Sequence, residues 1–208
     1  MFVLPELKKP YGSYEPYIDE VTMRVHHLGH HKTYVENLNR ALVSLDYQTE
    51  RIEDIFEKIQ DFPAVVRNNA GGHYNHSVFW TTLNDVISTP SPELLNAIID
   101  KYGVLEDFKA IFMKSALELF GSGWTWLVLK DDGELEIVNT HNQDNPLMAD
   151  IYKGYPLFGI DLWEHAYYLK HQNKRMEYIN DFWSILDWGV VSKRFAQKPE
   201  MNQLSSLE

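Results

Sequence analysis

Cysteine is absent from this 208-residue chain, which removes disulfides, thiolate metal sites and cysteine nucleophiles at once. Long apolar runs are missing too. None approaches the roughly 20 residues that span a bilayer, so no membrane segment is expected. Positive charge is scarce: 19 Lys and Arg face 30 Asp and Glu, for a formal charge of −11. A nucleic-acid binder normally carries a basic face, so that class is set aside. The first ten residues hold Pro, Glu and Lys where a signal peptide has its apolar core. The cytoplasm is the expected compartment.

Two biases stand out in what is present. Six tryptophans and twelve tyrosines are many for this length, and four of the nine histidines fall between residues 26 and 31. The chain is long enough for one domain or two small ones around a real core.

The first nineteen residues, rich in Pro, Gly and Tyr, read as an extended lead-in. Residues 20–44 have a helical pattern with no proline and a single Gly29. Ile52, Ile55, Phe56 and Ile59 mark a short amphipathic segment, and Pro63 precedes a second long helix over 64–83. Thr89-Pro90-Ser91-Pro92 reads as a linker ending in a helix start, with Ser91 as N-cap and Pro92 at the first helical position. Helices over 94–102, closed by Gly103, and over 104–120 follow. Residues 124–129 and 134–138 are strand-like around the turn Lys130-Asp131-Asp132-Gly133, and 155–160 offers a third strand before helices running to about 195. The layout is α+β. An N-terminal helical hairpin occupies 1–88, and a C-terminal domain with a small three-stranded antiparallel sheet and surrounding helices occupies 89–208. The tail from Lys198 is polar and expected to fray, and Leu207-Glu208 has the look of a cloning remnant.

Four stretches offer metal ligands. His26, His30 and Tyr34 are four residues apart along one helix face, with His27 and His31 as a second stripe beside them. Asn69-Ala70-Gly71-Gly72-His73-Tyr74-Asn75-His76 lacks the Gly-Lys-Ser/Thr of a phosphate loop. Its glycines are better read as letting another group approach the helix. His76 is the ligand candidate there, with Trp80 one turn later. Trp124 and Trp126 alternate on one strand and should share a face, and Gln143 lies in a turn-like segment. Asp161 and His165 sit four apart in an apolar, aromatic run, where a charge needs a partner or a metal. Each residue alone also fits a plainer role as a hydrogen-bonded histidine or a packed aromatic. Three imidazoles with one carboxylate would suit iron or manganese better than a thiophilic metal. No histidine has a Glu three residues before it, which removes the di-iron carboxylate pattern.

These blocks, in this order, closely resemble the iron/manganese superoxide dismutase family. The most specific are Asp161-Leu162-Trp163-Glu164-His165-Ala166-Tyr167-Tyr168, Asn75-His76-Ser77-Val78-Phe79-Trp80, His26-His27-Leu28-Gly29-His30-His31-Lys32-Thr33-Tyr34 and Phe120-Gly121-Ser122-Gly123-Trp124-Thr125-Trp126. The resemblance runs from about residue 4 to 195. It implies one manganese or iron ion per subunit, held by His26, His76, Asp161 and His165, and superoxide as substrate. Tyr34, His30 and Gln143 are implied as catalytic residues near the ion, and Trp80, Trp124, Trp126 and Trp163 as an aromatic cage. Glycine at 72 together with glutamine at 143 resembles the manganese type, so manganese is the preferred ion. Glu164 and Tyr168 are implied to cross the interface of a homodimer or homotetramer, toward a second subunit's His165 and His30.

Tyr74, His171, Met176 and Gly189 depart from the usual pattern of the family, where a small residue, an aromatic, a proline and an acid are common. Because the net charge would repel an anion, Lys32 and Arg175 are the candidates for local steering. Two competing readings are a non-catalytic metal-binding protein on the same scaffold and a structural helical protein with a histidine-rich surface.

Overall fold

The computed structural model describes residues 1–197. The polar tail from Lys198, with Leu207-Glu208, lies outside them. After a 3₁₀ turn at Tyr11–Tyr14, one continuous helix opens the chain in three parts. These are α1 (Glu20–Val25), a π-helical segment (His26–His31) and α2 (Lys32–Ser44). Asp19 caps it by accepting from the Thr22 backbone N–H. The short α3 (Glu53–Phe56) and a 3₁₀ turn (Ile59–Asp61) supply the amphipathic connection, and Pro63 leads into α4 (Ala64–Thr81). Helices α2 and α4 pack against each other as the hairpin.

The linker ends as its sequence implies, with Ser91 accepting from Leu94 N–H and Pro92 opening α5 (Pro92–Tyr102). Gly103, at φ 87°, ends α5 in a conformation that side chains rarely adopt. Next come α6 (Leu105–Glu118), β1 (Gly123–Leu129), β2 (Leu135–His141) and β3 (Tyr155–Asp161), then α7 (Tyr168–His171), α8 (Arg175–Ile185) and α9 (Trp188–Ala196). The sheet is antiparallel with order β2-β1-β3. Strands β1 and β3 are buried along their whole length, because the hairpin helix α4 and helices α6, α8 and α9 cover them. No helix among the described residues is long and apolar enough to cross a membrane.

Two details of this frame place the chemistry. Register sets Trp124 opposite Asp161 and Gly123 opposite His141. Pro156, which has no N–H for the ladder, sits where the β1–β3 register shifts, at Leu127/Val128. Its carbonyl takes two hydrogen bonds from Arg194 of α9, at 3.1 and 2.7 Å. The hairpin and the C-terminal unit are also stitched by backbone. Asn84 N–H donates to Ile185 O at 2.8 Å, and Asp187 N–H to Thr82 O at 2.8 Å.

Gly159 packs closely against the indole of Trp126. A Cβ added at Gly159 would lie 2.3 Å from the ring, and that ring is fully buried with no room to retreat. Gly159→Ala should therefore destabilise the fold by about 3 kcal/mol, the upper end of ordinary overpacking. Equilibrium urea unfolding measures this, and a loss below about 1 kcal/mol would show that the strand yields instead.

Candidate metal centre

The π segment explains how the first helix serves the site. The Lys32 N–H reaches back to His27 O, a five-residue step. Residues five apart consequently stack, and both His26 and His31 come to face α4. The His26 ring lies 4.9 Å from that of His76 and the His31 ring 5.4 Å from it. A regular α-helix would have turned His31 well away from His26.

Helix α4 presents His76 and Trp80 one turn apart to the same space. The glycines at 71 and 72 are there for close approach. A Cβ at Gly71 would sit 1.9 Å from the Gln143 carbonyl oxygen, and one at Gly72 only 2.6 Å from the Tyr34 ring. Tyr74, two residues from both Gly72 and His76, points the other way. It packs edge-on against Phe56 at 5.3 Å and lines a separate pocket with Glu53, Tyr155 and Arg194. Its departure from the family pattern leaves the ligand side of α4 untouched.

From the C-terminal unit, Asp161 ends β3 and His165 follows in a 3₁₀ turn. The Asp161 carboxylate is aimed by its Oδ1, which accepts from Trp163 N–H at 2.9 Å. Its Oδ2 then faces three imidazole Nε2 atoms, at 3.0 Å from His26, 3.4 Å from His76 and 3.1 Å from His165. One ligand atom from each of these four residues lies within 4.8 Å of all the others.

This arrangement is incomplete without a cation. The Nδ1 of His76 donates to Gly72 O at 2.6 Å, so a neutral ring leaves a bare lone pair on Nε2. That atom is buried and has no hydrogen-bond partner. A lone pair turned toward a carboxylate oxygen at 3.4 Å is repulsive unless positive charge lies between them. Burial pushes the His26 and His76 imidazoles down, keeping them neutral. Burial opposes the Asp161 charge, and positive charge and N–H donation from the imidazole side, His165 first, hold the carboxyl well below its usual range, a part that a bound cation takes over when the rings are neutral. The donor set is thus three imidazole nitrogens and one anionic oxygen, a fit for manganese or iron.

The chain belongs to the iron/manganese superoxide dismutase family. The family's alpha-hairpin domain matches residues 1–84 and its C-terminal domain residues 90–194. The chain is 46% identical over 205 residues to a superoxide dismutase (Mn) of Escherichia coli (strain K12), covering 95% of this chain and 98% of that protein. A namesake in Salmonella typhimurium gives the same figures, and one in Yersinia enterocolitica is 45% identical over 204 residues, with 94% and 98% covered. The buried three-histidine, one-aspartate cluster is thus the metal site of an iron/manganese superoxide dismutase scaffold.

Around it, the Gln143 amide has a fixed orientation. Its Oε1 accepts from Trp124 Nε1 at 3.1 Å and from Asn75 Nδ2 at 3.2 Å. The amide nitrogen therefore faces outward and donates to the Tyr34 hydroxyl at 3.2 Å. Asn75, though part of a glycosylation-like triplet, is fully buried in this network. Trp124 packs edge-on against His76 at 5.2 Å, Trp163 stacks on His165 at 5.6 Å, and Trp80 lies 4.7 Å from His26. Trp126 does share a face with Trp124, but it stacks behind it at 5.2 Å and bonds Thr140 rather than touching a ligand. His30 stacks on His165 at 4.0 Å. His30 and Tyr34 are half-buried where the ligands His26, His76 and Asp161 are buried, so the approach lies on their side.

Other candidates have different surroundings. Arg175 is a clamp: it donates to the carbonyls of Leu119, Gly121 and Leu162 at 2.8 to 3.1 Å and to the Tyr167 hydroxyl. It therefore ties the lead-in of β1 to the residue after Asp161. Lys32 is exposed and lies 3.8 Å from Glu36. Glu164 and Tyr168 are exposed on this chain, and Glu164 lines a surface pocket of about 370 Å³ with Phe120, Ser122 and Arg175. Of the remaining departures, His171 is buried and pairs with Asp181 at 2.9 Å, while Met176 is exposed. Gly189 begins α9 beside Asp187, away from the ligands.

The histidines make stability depend on pH in one direction. Burial, with the neighbouring His165 and His76, pushes His30 down to about 4, and burial also pushes His73 down to about 4. In the unfolded chain imidazoles titrate near about 6.5. Between these values the unfolded state binds more protons, so stability falls as pH drops from about 6.5 toward 4 and is level above about 7. The urea midpoint at constant ionic strength should follow that curve. A midpoint that holds steady or rises on acidification would contradict it.

Proposed function

We propose that this protein is a manganese-dependent superoxide dismutase, converting two superoxide ions and two protons to oxygen and hydrogen peroxide. The observation that carries the reading is the unpartnered His76 Nε2 facing the Asp161 carboxylate with His26 and His165 around it. His26, His76, Asp161 and His165 would hold the ion. The one-electron chemistry, superoxide oxidised in one half-cycle and a second superoxide reduced in the other, is what a bound manganese or iron ion supplies.

The chain's own residues supply binding and proton handling. The donor set carries one negative charge, so a bound divalent cation keeps a net positive charge that favours an anionic substrate. Tyr34 accepts from the Gln143 amide and keeps its own hydrogen free to donate toward the approach side. Burial and the Asp161 charge push the Tyr34 phenol up to about 12, against a smaller opposing pull from Gln143, so Oη holds its proton through neutral pH. Trp124 and Asn75 fix the amide that fixes Tyr34. The tryptophans and His30 keep the enclosure dry, where each of these dipoles acts more strongly than in water.

Manganese is preferred over iron on three grounds. The amide that orders Tyr34 comes from Gln143, position 72 is glycine with no room for a longer side chain beside Tyr34, and the relatives above carry manganese in their names. The competing non-catalytic reading predicts a broken Tyr34–Gln143 pair, and that pair is intact at 3.2 Å. Metal-depleted protein reloaded separately with manganese and iron should consume superoxide well with manganese and at least tenfold less with iron, roughly the scale on which outer hydrogen bonds tune a metal site. Equal activity with both ions would remove the preference, and tight metal binding without superoxide consumption would overturn the enzyme reading.

We also propose a homodimer, or a homotetramer built from it, with Glu164 and Tyr168 at the interface. In support, Glu164 sits beside the ligand His165 yet faces outward, next to Phe120, which is 93% exposed. The metal site and the interface would then share one short segment. Glu164→Ala should both lower metal content and shift the protein toward monomer on sizing with light scattering. If neither changes, the segment carries ligands and nothing more.

A further inference from the structure

His31 is buried, adjoins the metal site, and has no part in the ligand set or the approach. Its two ring nitrogens are both engaged. Trp80 Nε1–H donates to His31 Nδ1 at 2.9 Å, and His31 Nε2 lies 2.8 Å from His73 Nδ1. An indole nitrogen can only donate. His31 Nδ1 is therefore an acceptor, its hydrogen is on Nε2, and it donates to His73. His73 in turn must carry its hydrogen on Nε2. The three rings admit a single arrangement of hydrogens.

That fixed chain bears on two ligands. The His31 ring lies over the His76 ring at 5.4 Å and 28°. Trp80, held by His31, packs edge-on against His26 at 4.7 Å and 73°. The outer end is held as well, since Phe2 packs against His73 at 5.5 Å. An indole N–H does not release its proton at neutral pH, so the chain ends at Trp80 and cannot carry protons inward. Its remaining role is mechanical.

We infer that His31 is a positioning residue for the metal site: locked in one tautomer between Trp80 and His73, it holds the ring planes of His76 and Trp80. The inference rests on the metal-site reading above. It predicts an effect on metal retention that depends on hydrogen bonding and not on volume alone. His31→Phe fills the space but leaves the Trp80 N–H without an acceptor. His31→Gln keeps both bonds, accepting at Oε1 and donating from Nε2.

The test is the rate of manganese loss from the holoenzyme to excess EDTA at fixed temperature, with manganese content by mass spectrometry. His31→Phe should lose manganese about tenfold faster than wild type, the low end for partners of metal-binding histidines, and His31→Gln should stay within about twofold. His73→Leu, which deprives His31 of its acceptor, should move in the direction of His31→Phe, and His73→Gln should not. The His73 pair decides the matter if His31→Phe does not fold. Equal rates for the Phe and Gln variants, or for the Leu and Gln variants, would overturn the inference, because packing alone would then suffice. Wild-type protein that binds no manganese would overturn this and the functional reading together. Wild type that retains manganese and consumes superoxide, with all variants unchanged, would overturn this one alone.

Discussion

One buried carboxylate facing three imidazole nitrogens, one of them without a partner, is the constraint on which the rest of the molecule depends. Removing an anion from water costs several kcal/mol even after relaxation. Asp161 is fully buried all the same, with Oδ2 in hydrogen-bond contact with His26 and His165 Nε2 and aimed at His76 Nε2, which has no hydrogen to offer when neutral. A cation relieves the desolvated charge and the unpartnered His76 lone pair together. It also joins the two halves of the chain, since His26 and His76 come from the hairpin and Asp161 and His165 from the end of the sheet. Metal binding is therefore coupled to how the hairpin docks on the sheet. The backbone bonds between Asn84, Thr82 and the α8–α9 turn hold that docking from another side.

Orientation around the centre is enforced by donors that cannot change role. Indole nitrogens only donate, and the structure uses them to orient ambiguous groups: Trp124 sets the Gln143 amide, and Trp80 sets the His31 tautomer. Gln143 then determines which way the Tyr34 hydroxyl points. Six tryptophans in this chain are thus more than apolar bulk. Three of them contribute hydrogen bonds that leave the inner groups one arrangement each, with Trp126 bonding Thr140 as the third. Pre-set dipoles of this kind need not reorganise when charge changes beside them.

Much of this was legible in the chain, for local reasons. Pro63, Ser91-Pro92 and Gly103 punctuate helices through steric and capping rules that need no tertiary context, and the structure has boundaries at each. Alternation placed Trp124 and Trp126 on one face, as observed. The four ligands come together from three separated segments, and only the order and content of those segments pointed to that. The π segment was not legible. Spacing by four pairs His26 with His30 and leaves His31 aside, and nothing local shows that the helix widens to put His31 beside His76. The use of Arg175 was equally hidden. A basic residue in a polar stretch looks free to attract anions, whereas its acceptors are carbonyls up to 56 residues away.

Helix α4 shows why the most functional element is the hardest to read by pattern. Amphipathic helices announce themselves by one apolar face, but α4 is buried nearly all round and has polar residues on several sides. Each side answers to a different neighbour. Gly72, His76 and Trp80, at spacing four, face the ligands and Tyr34, and Gly71 and Asn75 meet the Gln143 loop. His73 meets His31, and Tyr74 turns toward Phe56 and Arg194. A helix so placed cannot be stabilised by a single apolar stripe. It is held by polar side chains that each find one specific partner, so a change on any side alters the position of the ligand that the others also hold. The glycines follow from the same geometry: where four neighbours converge on one helix, two of them, the Gln143 carbonyl and the Tyr34 ring, come closer than a methyl group would allow.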